Sequence, residues 1–183
     1  MSADHSLLAA PSAWVQRFAA LVPAGSKVLD LACGGGRHAR LFAAQGCSVE
    51  AVDRDVEALA QLRGVAGVRP VAIDLEQQTW PYAGRRFDAV VVTNYLHRPH
   101  FDALLDCVTP GGVLIYETFM SGNERFGKPS NPAFLLAPDE LLQRVAGGFS
   151  VLAFEQGEVT EPKPAMVQRI CARRSSEALP HVP

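Results

Sequence analysis

Short apolar runs alternate with amphipathic stretches along most of this chain. Five runs are almost wholly apolar and have the length of strands, at residues 28–31, 49–52, 71–73, 89–92 and 113–116. Helical candidates lie between or after these runs, at residues 37–44, 56–62, 101–108 and 139–145. Strands that are buried on both faces favour a parallel sheet covered by helices, with right-handed crossovers. The pattern therefore predicts a doubly wound α/β fold.

The pattern changes after the fifth predicted strand. Two further apolar segments, 149–154 and 166–172, are separated by Glu-Pro-Lys-Pro at 161–164, and prolines there favour a tight connection over a helical crossover. We therefore expect the sheet to have seven strands, to be mostly parallel, and to end in a C-terminal antiparallel hairpin. An N-terminal helix is predicted at about 12–22, where Ser12 can cap the first turn.

The longest irregular segment, at about 119–138, follows the fifth predicted strand and is rich in glycine and proline. Loops of this length in compact domains are usually functional lids or disordered segments. We expect a lid-like loop over a small acceptor, although its aromatic residues are equally suited to attach the loop to the core. The expected walls are Phe119, Met120, Phe126 and Phe134, and the expected polar contacts are Asn123, Glu124, Arg125 and Lys128.

Length and composition describe an ordinary globular chain. The 183 residues suit a single domain, expected at 1–174, followed by a flexible tail at 175–183. The net charge of −2 supplies no field that gathers nucleic acid or an anionic membrane, so neither is expected as a partner. The four cysteines form no CxxC pair, and no secretion signal is evident. We therefore expect a cytoplasmic protein without a metal site.

The segment 28–39, Val-Leu-Asp-Leu-Ala-Cys-Gly-Gly-Gly-Arg-His-Ala, leads from a buried strand through three glycines into a helix. Glycines let a ligand approach the backbone, and the free N–H groups of a helix attract a negative group. A nucleotide-like cofactor is implied. The run alone is ambiguous, because Gly34, Gly36 and Ala39 also satisfy the loose dinucleotide fingerprint, with Asp53 ending the next strand as a ribose-binding acid does.

Two further acids separate the possible cofactors. Asp30 lies within the first strand, four residues before Gly34, where it disfavours a pyrophosphate but suits a free ammonium group. Asp74 ends the third predicted strand 21 residues after Asp53, within reach of an adenine amino group. A ligand with amino acid, ribose and adenine in that order is S-adenosylmethionine. As structural alternatives, Asp30 would accept from a loop N–H, and Asp53 and Asp74 would cap the next helix or turn.

At this point the chain resembles a known family. The glycine segment, followed by Val-Asp-Arg-Asp at 52–55, is similar to the class I (Rossmann-like) S-adenosylmethionine-dependent methyltransferases, and to their small bacterial branch of tellurite- and thiol-methylating enzymes. The resemblance covers about 26–118 firmly. It implies a methionine end at Asp30, Gly34 and Gly36, a ribose at Asp53 and an adenine at Asp74 and Leu75. It also implies cofactor-binding positions at Ala32, where glycine is commoner, Arg37, Arg54 and Asn94.

The sulfonium methyl group is already a good electrophile. A methyltransferase must mainly place a nucleophile in line and exclude water, so a catalytic base is optional. Candidates at the strand ends are His97, Tyr95 and Glu117, of which His97 is the best proton acceptor by type. Alternatively, His97 begins the next helix, Tyr95 is a wall residue, and Glu117 forms a structural ion pair with Arg125 or Arg98.

The leading hypothesis is methyl transfer to a small-molecule acceptor. Residues 94–97, Asn-Tyr-Leu-His, lack the Asn/Asp-Pro-Pro-aromatic pattern of enzymes that methylate the exocyclic amines of nucleic-acid bases. Two alternatives stay open. One is an NAD(P)-dependent oxidoreductase, against which Asp30 argues, and the other is a non-catalytic S-adenosylmethionine-binding protein.

Overall fold

A computed structural model describes residues 10–77 and 79–176 of the chain, which contain one seven-stranded sheet. The strands are β1 Lys27–Leu31, β2 Ser48–Asp53, β3 Val68–Ala72, β4 Phe87–Thr93, β5 Val108–Phe119, β6 Phe149–Val159 and β7 Ala165–Arg174. Their order is β3-β2-β1-β4-β5-β7-β6. Strands β1 to β5 are parallel, and β7 is antiparallel to both β5 and β6. The predicted doubly wound sheet with a C-terminal antiparallel hairpin is confirmed.

Five α-helices flank the sheet within the described residues. They are α1 Ala13–Phe18, α2 Arg37–Ala44, α3 Val56–Ala60, α4 Phe101–Asp106 and α5 Glu140–Val145. The hydroxyl of Ser12 caps α1 as predicted, since it accepts hydrogen bonds from the N–H groups of Trp14 and Val15. No helix in this part of the chain has the length and apolarity to cross a membrane.

Strand β3 lies earlier than predicted, at Val68–Ala72 and not at 71–73. It is an edge strand, paired only with β2. An edge position tolerates Pro70, which has no N–H to donate, and the exposed Arg69. The first residues of the strand therefore do not form the apolar run that predicts a buried strand. Ile73 consequently lies beyond the strand.

Three predicted helices are shorter in the structure. The helix expected at 12–22 is α-helical only to Phe18 and continues as a 3-10 turn to Leu21. The helix expected at 56–62 ends at Ala60, after which the amides bond three residues back, a tighter turn. The helix expected at 101–108 ends at Asp106, because Val108 already pairs with Phe87 as β5 begins.

The core has two layers, one on each face of the sheet. Adjacent residues of β1, Val28 and Leu29, enter opposite clusters, as the alternation of side chains along a strand requires. Trp14 of α1 and Phe42 of α2 pack with Val28, whereas Phe101 of α4 packs with Leu29. In β1, Leu31 pairs with Val52 of β2 and Val92 of β4. The segments after these strands therefore leave the sheet at one edge, where functional sites of open α/β sheets lie.

Candidate functional site

A cavity of about 230 Å³ lies at the carboxyl edge of β1 to β4. The sequence-predicted residues that line it are Ala32, Asp53, Arg54, Asp74, Leu75, Asn94 and Tyr95. Two lining residues, Ile73 and Glu76, were missed by sequence reasoning. Because β3 ends early, at Ala72, both residues belong to the segment that follows the strand. The signal in the sequence is Pro70, which is typical of an edge strand and indicates that β3 begins and ends earlier than the apolar run suggests.

The glycine segment turns sharply between β1 and α2. Three of its residues have a positive φ: Ala32 at 52°, Gly34 at 54° and Gly36 at 76°. The alanine at 32 adopts the conformation that a glycine adopts more easily, which agrees with the commoner glycine at that position. A Cβ at Gly36 would clash with the side chain of Leu62, whereas a Cβ at Gly34 would meet open space. Gly36 is therefore required by packing, and the backbone at Gly34 is open to a ligand.

The carboxylate of Asp53 fastens the glycine segment to the end of β2. Its Oδ2 accepts the N–H of Gly34 at 2.7 Å, and its Oδ1 accepts the N–H of Asp55 at 2.9 Å. Asp55, and not Asp53, caps α3 by accepting from Glu57 and Ala58. The capping alternative for Asp53 is therefore wrong, and its half-buried carboxylate faces the cavity with lone pairs to spare.

Asp30 lies behind the glycine segment and does not line the cavity. Its side chain is buried, and its Oδ2 accepts the N–H of Ala39 in the first turn of α2 at 2.9 Å. Burial raises the pKa of this carboxyl to about 7, partly offset by that hydrogen bond and by the charge of Arg37. The structural alternative, acceptance from a backbone N–H, therefore describes Asp30 here, with the donor in the helix and not in the loop.

The predicted residues after β3 and β4 form the opposite wall. Asp74 accepts the N–H of Glu76 through Oδ1 at 3.0 Å, which shapes a short turn, and the next residue, Leu75, is buried. Asn94 has a positive φ of 55° and is exposed. The carbonyl of Tyr95 accepts the hydroxyl of Tyr116 at 2.7 Å. Hydrogen bonds between a side chain and the backbone therefore hold the segments at Asp74 and Tyr95.

The cavity has an acidic lining. Asp53, Asp74 and Glu76 contribute carboxylates, and Arg54 contributes the one guanidinium among the residues that line it. Such a lining favours a cationic or neutral ligand over an anionic one. The N–H groups of Gly34 and Ala39 already donate to carboxylates of the protein.

Arg37 and His97 lie outside the cavity lining. Arg37 donates through Nη1 to the carbonyl of Ala10 at 3.2 Å, which ties the start of α2 to the segment before α1. His97 immediately precedes the 3-10 turn Arg98–His100, and its ring lies 4.9 Å from that of His100. This placement matches the alternative in which His97 begins the next helical turn.

Glu117 also lies outside the cavity lining. Its Oε1 accepts the hydroxyl of Ser12 at 2.7 Å, and its Oε2 accepts Nη1 of Arg169 at 3.2 Å. The predicted ion-pair partners of Glu117 were wrong, since Arg98 pairs with Glu140 and Arg125 approaches Glu158. The correct partner comes from β7, which pairs Arg169 with Glu117 in register.

The loop at 119–138 is attached at both ends. The amide of Leu136 donates to the carbonyl of Phe119 at 3.0 Å, and Met120 lies in the core. Buried Asn123 donates to Pro129 and accepts from the amide of Met166, so it is a structural residue. Met120 and Asn123 therefore do not face an acceptor pocket as expected.

Arg98 joins this loop to the segment after β4. It donates to the carbonyls of Ala133 and Leu135 at 3.0 and 2.8 Å and forms a bidentate ion pair with Glu140. Phe126 and Phe134 are 37% and 47% exposed, so neither attaches the loop to the core. Like the predicted Glu124, Arg125 and Lys128, they lie away from the cavity lining.

Comparisons with known proteins agree with this architecture. A family model described as a methyltransferase domain matches residues 3–146. A curated relative, the tRNA U34 carboxymethyltransferase of Methylococcus capsulatus, is 30% identical over 175 residues, or 85% of this chain. The chain spans only about half of that relative's length, 53%.

Solved structures share the fold. TehB from Haemophilus influenzae is 20% identical with a TM-score of 0.71, and the match covers 88% of this chain and 61% of TehB. The N-methyltransferase NodS from Bradyrhizobium japonicum WM9, in complex with S-adenosyl-L-homocysteine, is 16% identical with a TM-score of 0.67, over 87% of this chain and 83% of NodS.

Proposed function

Because the chain belongs to the methyltransferase domain family, we propose that it is an S-adenosylmethionine-dependent methyltransferase that acts on a small-molecule acceptor. Membership confirms the family resemblance of the glycine and aspartate motifs. One observation supports the choice of cofactor most strongly. The N–H group of Gly34, in the turn that a pyrophosphate would approach, is already held by the carboxylate of Asp53.

The cavity residues fit the adenosine portion of this cofactor. Asp53 accepts one hydrogen bond at each oxygen, so it retains lone pairs for the ribose hydroxyls. Asp74 and the buried Leu75 suit the adenine, and the open backbone at Gly34 suits the amino-acid end. The cavity volume, about 230 Å³, is below the usual range of about 300–1,000 Å³ for sites that enclose a whole ligand.

Electrostatics supports the same choice over an NAD(P)-dependent oxidoreductase. The lining carries three carboxylates and one guanidinium, which disfavours a ligand with two phosphates and favours one with a sulfonium and an ammonium group. When bound, S-adenosylmethionine supplies an activated methyl group that a positioned nucleophile can attack.

The proposed mechanism assigns positioning and exclusion of water to the protein, and no general base. Histidine is absent from the described cavity lining, and Glu117 is engaged with Arg169 and Ser12. The protein then contributes the fixed turns that carry Asp53, Asp74 and Asn94, which orient the reacting groups. Catalysis by orientation is compatible with a sulfonium donor.

Two acceptor classes have support. The acidic lining of the cavity favours a small cationic or neutral acceptor over a polyanion. The 30% identical relative acts on tRNA by its name, which makes tRNA the second candidate. The net charge of −2 supplies no field that gathers a polyanion, so the small molecule is preferred.

A coupled assay of S-adenosylhomocysteine release tests the proposal. The acceptors are thiols, tellurite or selenite, carboxylates, small amines and bulk tRNA. We expect release with at least one small-molecule class and background release with tRNA, and D53A should slow the reaction at low cofactor concentration. Release with tRNA alone would contradict the proposal that the acceptor is a small molecule. Cofactor binding without release of S-adenosylhomocysteine on any acceptor would support the non-catalytic alternative.

A further inference from the structure

One tyrosine of the cavity lining, Tyr95, has a hydroxyl without a hydrogen-bond partner among the described residues. The Oη of Tyr95 is buried and makes no hydrogen bond within residues 10–77 and 79–176. Buried hydroxyls in folded proteins are nearly always paired, and an unpaired one calls for an explanation. By contrast, the hydroxyl of the neighbouring Tyr116 does have a partner, because it donates to the carbonyl of Tyr95 at 2.7 Å.

The backbone of Tyr95 is held in place. Tyr116, which donates to its carbonyl, is itself buried and stacked on Phe101 with ring centroids 5.4 Å apart. The unpaired hydroxyl is therefore not a consequence of a loose segment. It belongs to a residue on a fixed wall of the cavity, so a ligand in the cavity is the candidate partner for it.

The surroundings of this hydroxyl belong to the cavity. The charges that act on it come from Glu76, Asp74, Arg54 and Asp53, all of which line the same space. Glu76 and Arg54 are exposed, and neither side chain forms a hydrogen bond or ion pair with a described residue. These two rim side chains can therefore move aside for a ligand.

We propose that the hydroxyl of Tyr95 binds the adenosine part of the cofactor and does not act as a base in methyl transfer. The inference rests on the proposed function, since it assumes an adenosine-containing ligand between Asp53 and Asp74. A phenol both donates and accepts, so it suits a purine edge or a ribose hydroxyl equally well. Burial raises the pKa of Tyr95, which keeps the hydroxyl protonated at neutral pH and agrees with a binding role.

The variant Y95F removes only the hydroxyl, and Y82F is its matched control. Tyr82 is another buried tyrosine whose side chain does not line this cavity. We expect Y95F to weaken binding of S-adenosylhomocysteine by roughly two- to tenfold. Its melting temperature without ligand should equal or exceed that of the unaltered protein, because an unsatisfied buried group is lost. Y82F should leave the affinity unchanged.

A truncated ligand locates the contact. Calorimetry with 5′-methylthioadenosine, which lacks the amino-acid end, should show the same fold loss for Y95F as S-adenosylhomocysteine shows. A loss confined to S-adenosylhomocysteine, or no loss with either ligand, would overturn the inference while leaving the proposed function intact. Failure of the unaltered protein to bind either ligand would overturn the proposed function and this inference together.

Discussion

Two groups of carboxylates meet at the carboxyl edge of the sheet, and they differ in their access to the cavity. Asp53 and Asp74 line the cavity and, among the described residues, accept hydrogen bonds only from backbone N–H groups, which leaves lone pairs for a ligand. Asp30 is buried behind the glycine segment, and Glu117 is paired with Arg169. All four lie at or near strand ends, so position alone does not identify a ligand-binding acid.

The difference teaches that burial and charged partners decide the role of each acid. An acid beside a cavity with spare lone pairs can bind, whereas an acid that is enclosed or ion-paired changes the stability of the fold: burial of the carboxylate lowers it and an ion pair raises it. Removing one acid from each group should therefore affect different measurements: cofactor affinity for the first group and unfolding for the second.

The largest expected effect comes from D53A. Loss of a charge-assisted hydrogen bond to the ribose should cost about 1.5–3 kcal/mol, or roughly ten- to a hundredfold in affinity for S-adenosylhomocysteine by calorimetry. The amide of Gly34 also loses its acceptor, so the melting temperature should fall slightly.

The neighbouring D55A is the control for D53A. Asp55 caps α3 and does not line the cavity, so its loss should lower the free energy of unfolding by about 1 kcal/mol and leave affinity unchanged. If D55A weakened cofactor binding as much as D53A did, the distinction between the two acids would not hold.

The next effect is the pH dependence of D30N. The folded pKa of Asp30, about 7, exceeds its ordinary value of 3.8, so the unfolded chain releases its proton first. Burial of the ionised carboxylate therefore lowers the free energy of unfolding; this loss is absent below pH ~4 and complete above pH ~7. D30N should therefore melt about 2–4 °C higher than the unaltered protein at pH 8, with the gap closing toward pH 4.

Scanning calorimetry at pH 4, 6 and 8 measures this gap. The gain stays modest because asparagine must bury an NH₂ group in place of the carboxyl. A gap that is constant with pH would mean that burial does not raise the pKa of Asp30.

A smaller effect is expected for E117Q, which tests the candidate that sequence reasoning placed in catalysis. The variant weakens the contact with Arg169 and should lower the free energy of unfolding by about 1 kcal/mol or less. Turnover at saturating substrates should stay within about twofold. A large fall in turnover with unchanged stability would restore Glu117 as a catalytic residue.

The fold followed from the sequence because nearly all of its strands are apolar runs. Strand β3 was placed late because its Arg69 and Pro70 are tolerated only at an edge, and edge position is a property of the whole sheet. The cavity residues Asp53 and Asp74 followed from a local motif. The ion-pair partner of Glu117 could not be predicted in this way, because Arg169 lies 52 residues away along the chain and is brought to Glu117 by the register of β5 with β7.

The smallest expected effect is local and concerns the loop at 119–138. Its ends are bonded to the core, whereas no amide of 127–131 donates a hydrogen bond within the described residues. We expect these amides to exchange quickly in the free protein and to slow when S-adenosylhomocysteine and an acceptor analogue are added, while β1 stays protected. Equal protection with and without ligands would mean that this segment does not close over the site.

Binding calorimetry with S-adenosylhomocysteine and with NAD tests the central claim most directly. Because the cavity lining is acidic and Asp53 already holds the N–H of Gly34, S-adenosylhomocysteine should bind and NAD should bind at least about a hundredfold more weakly. The same order should hold from pH 6 to pH 8. NAD binding tighter than S-adenosylhomocysteine would contradict the assignment of the cofactor and, with it, the proposed methyl transfer.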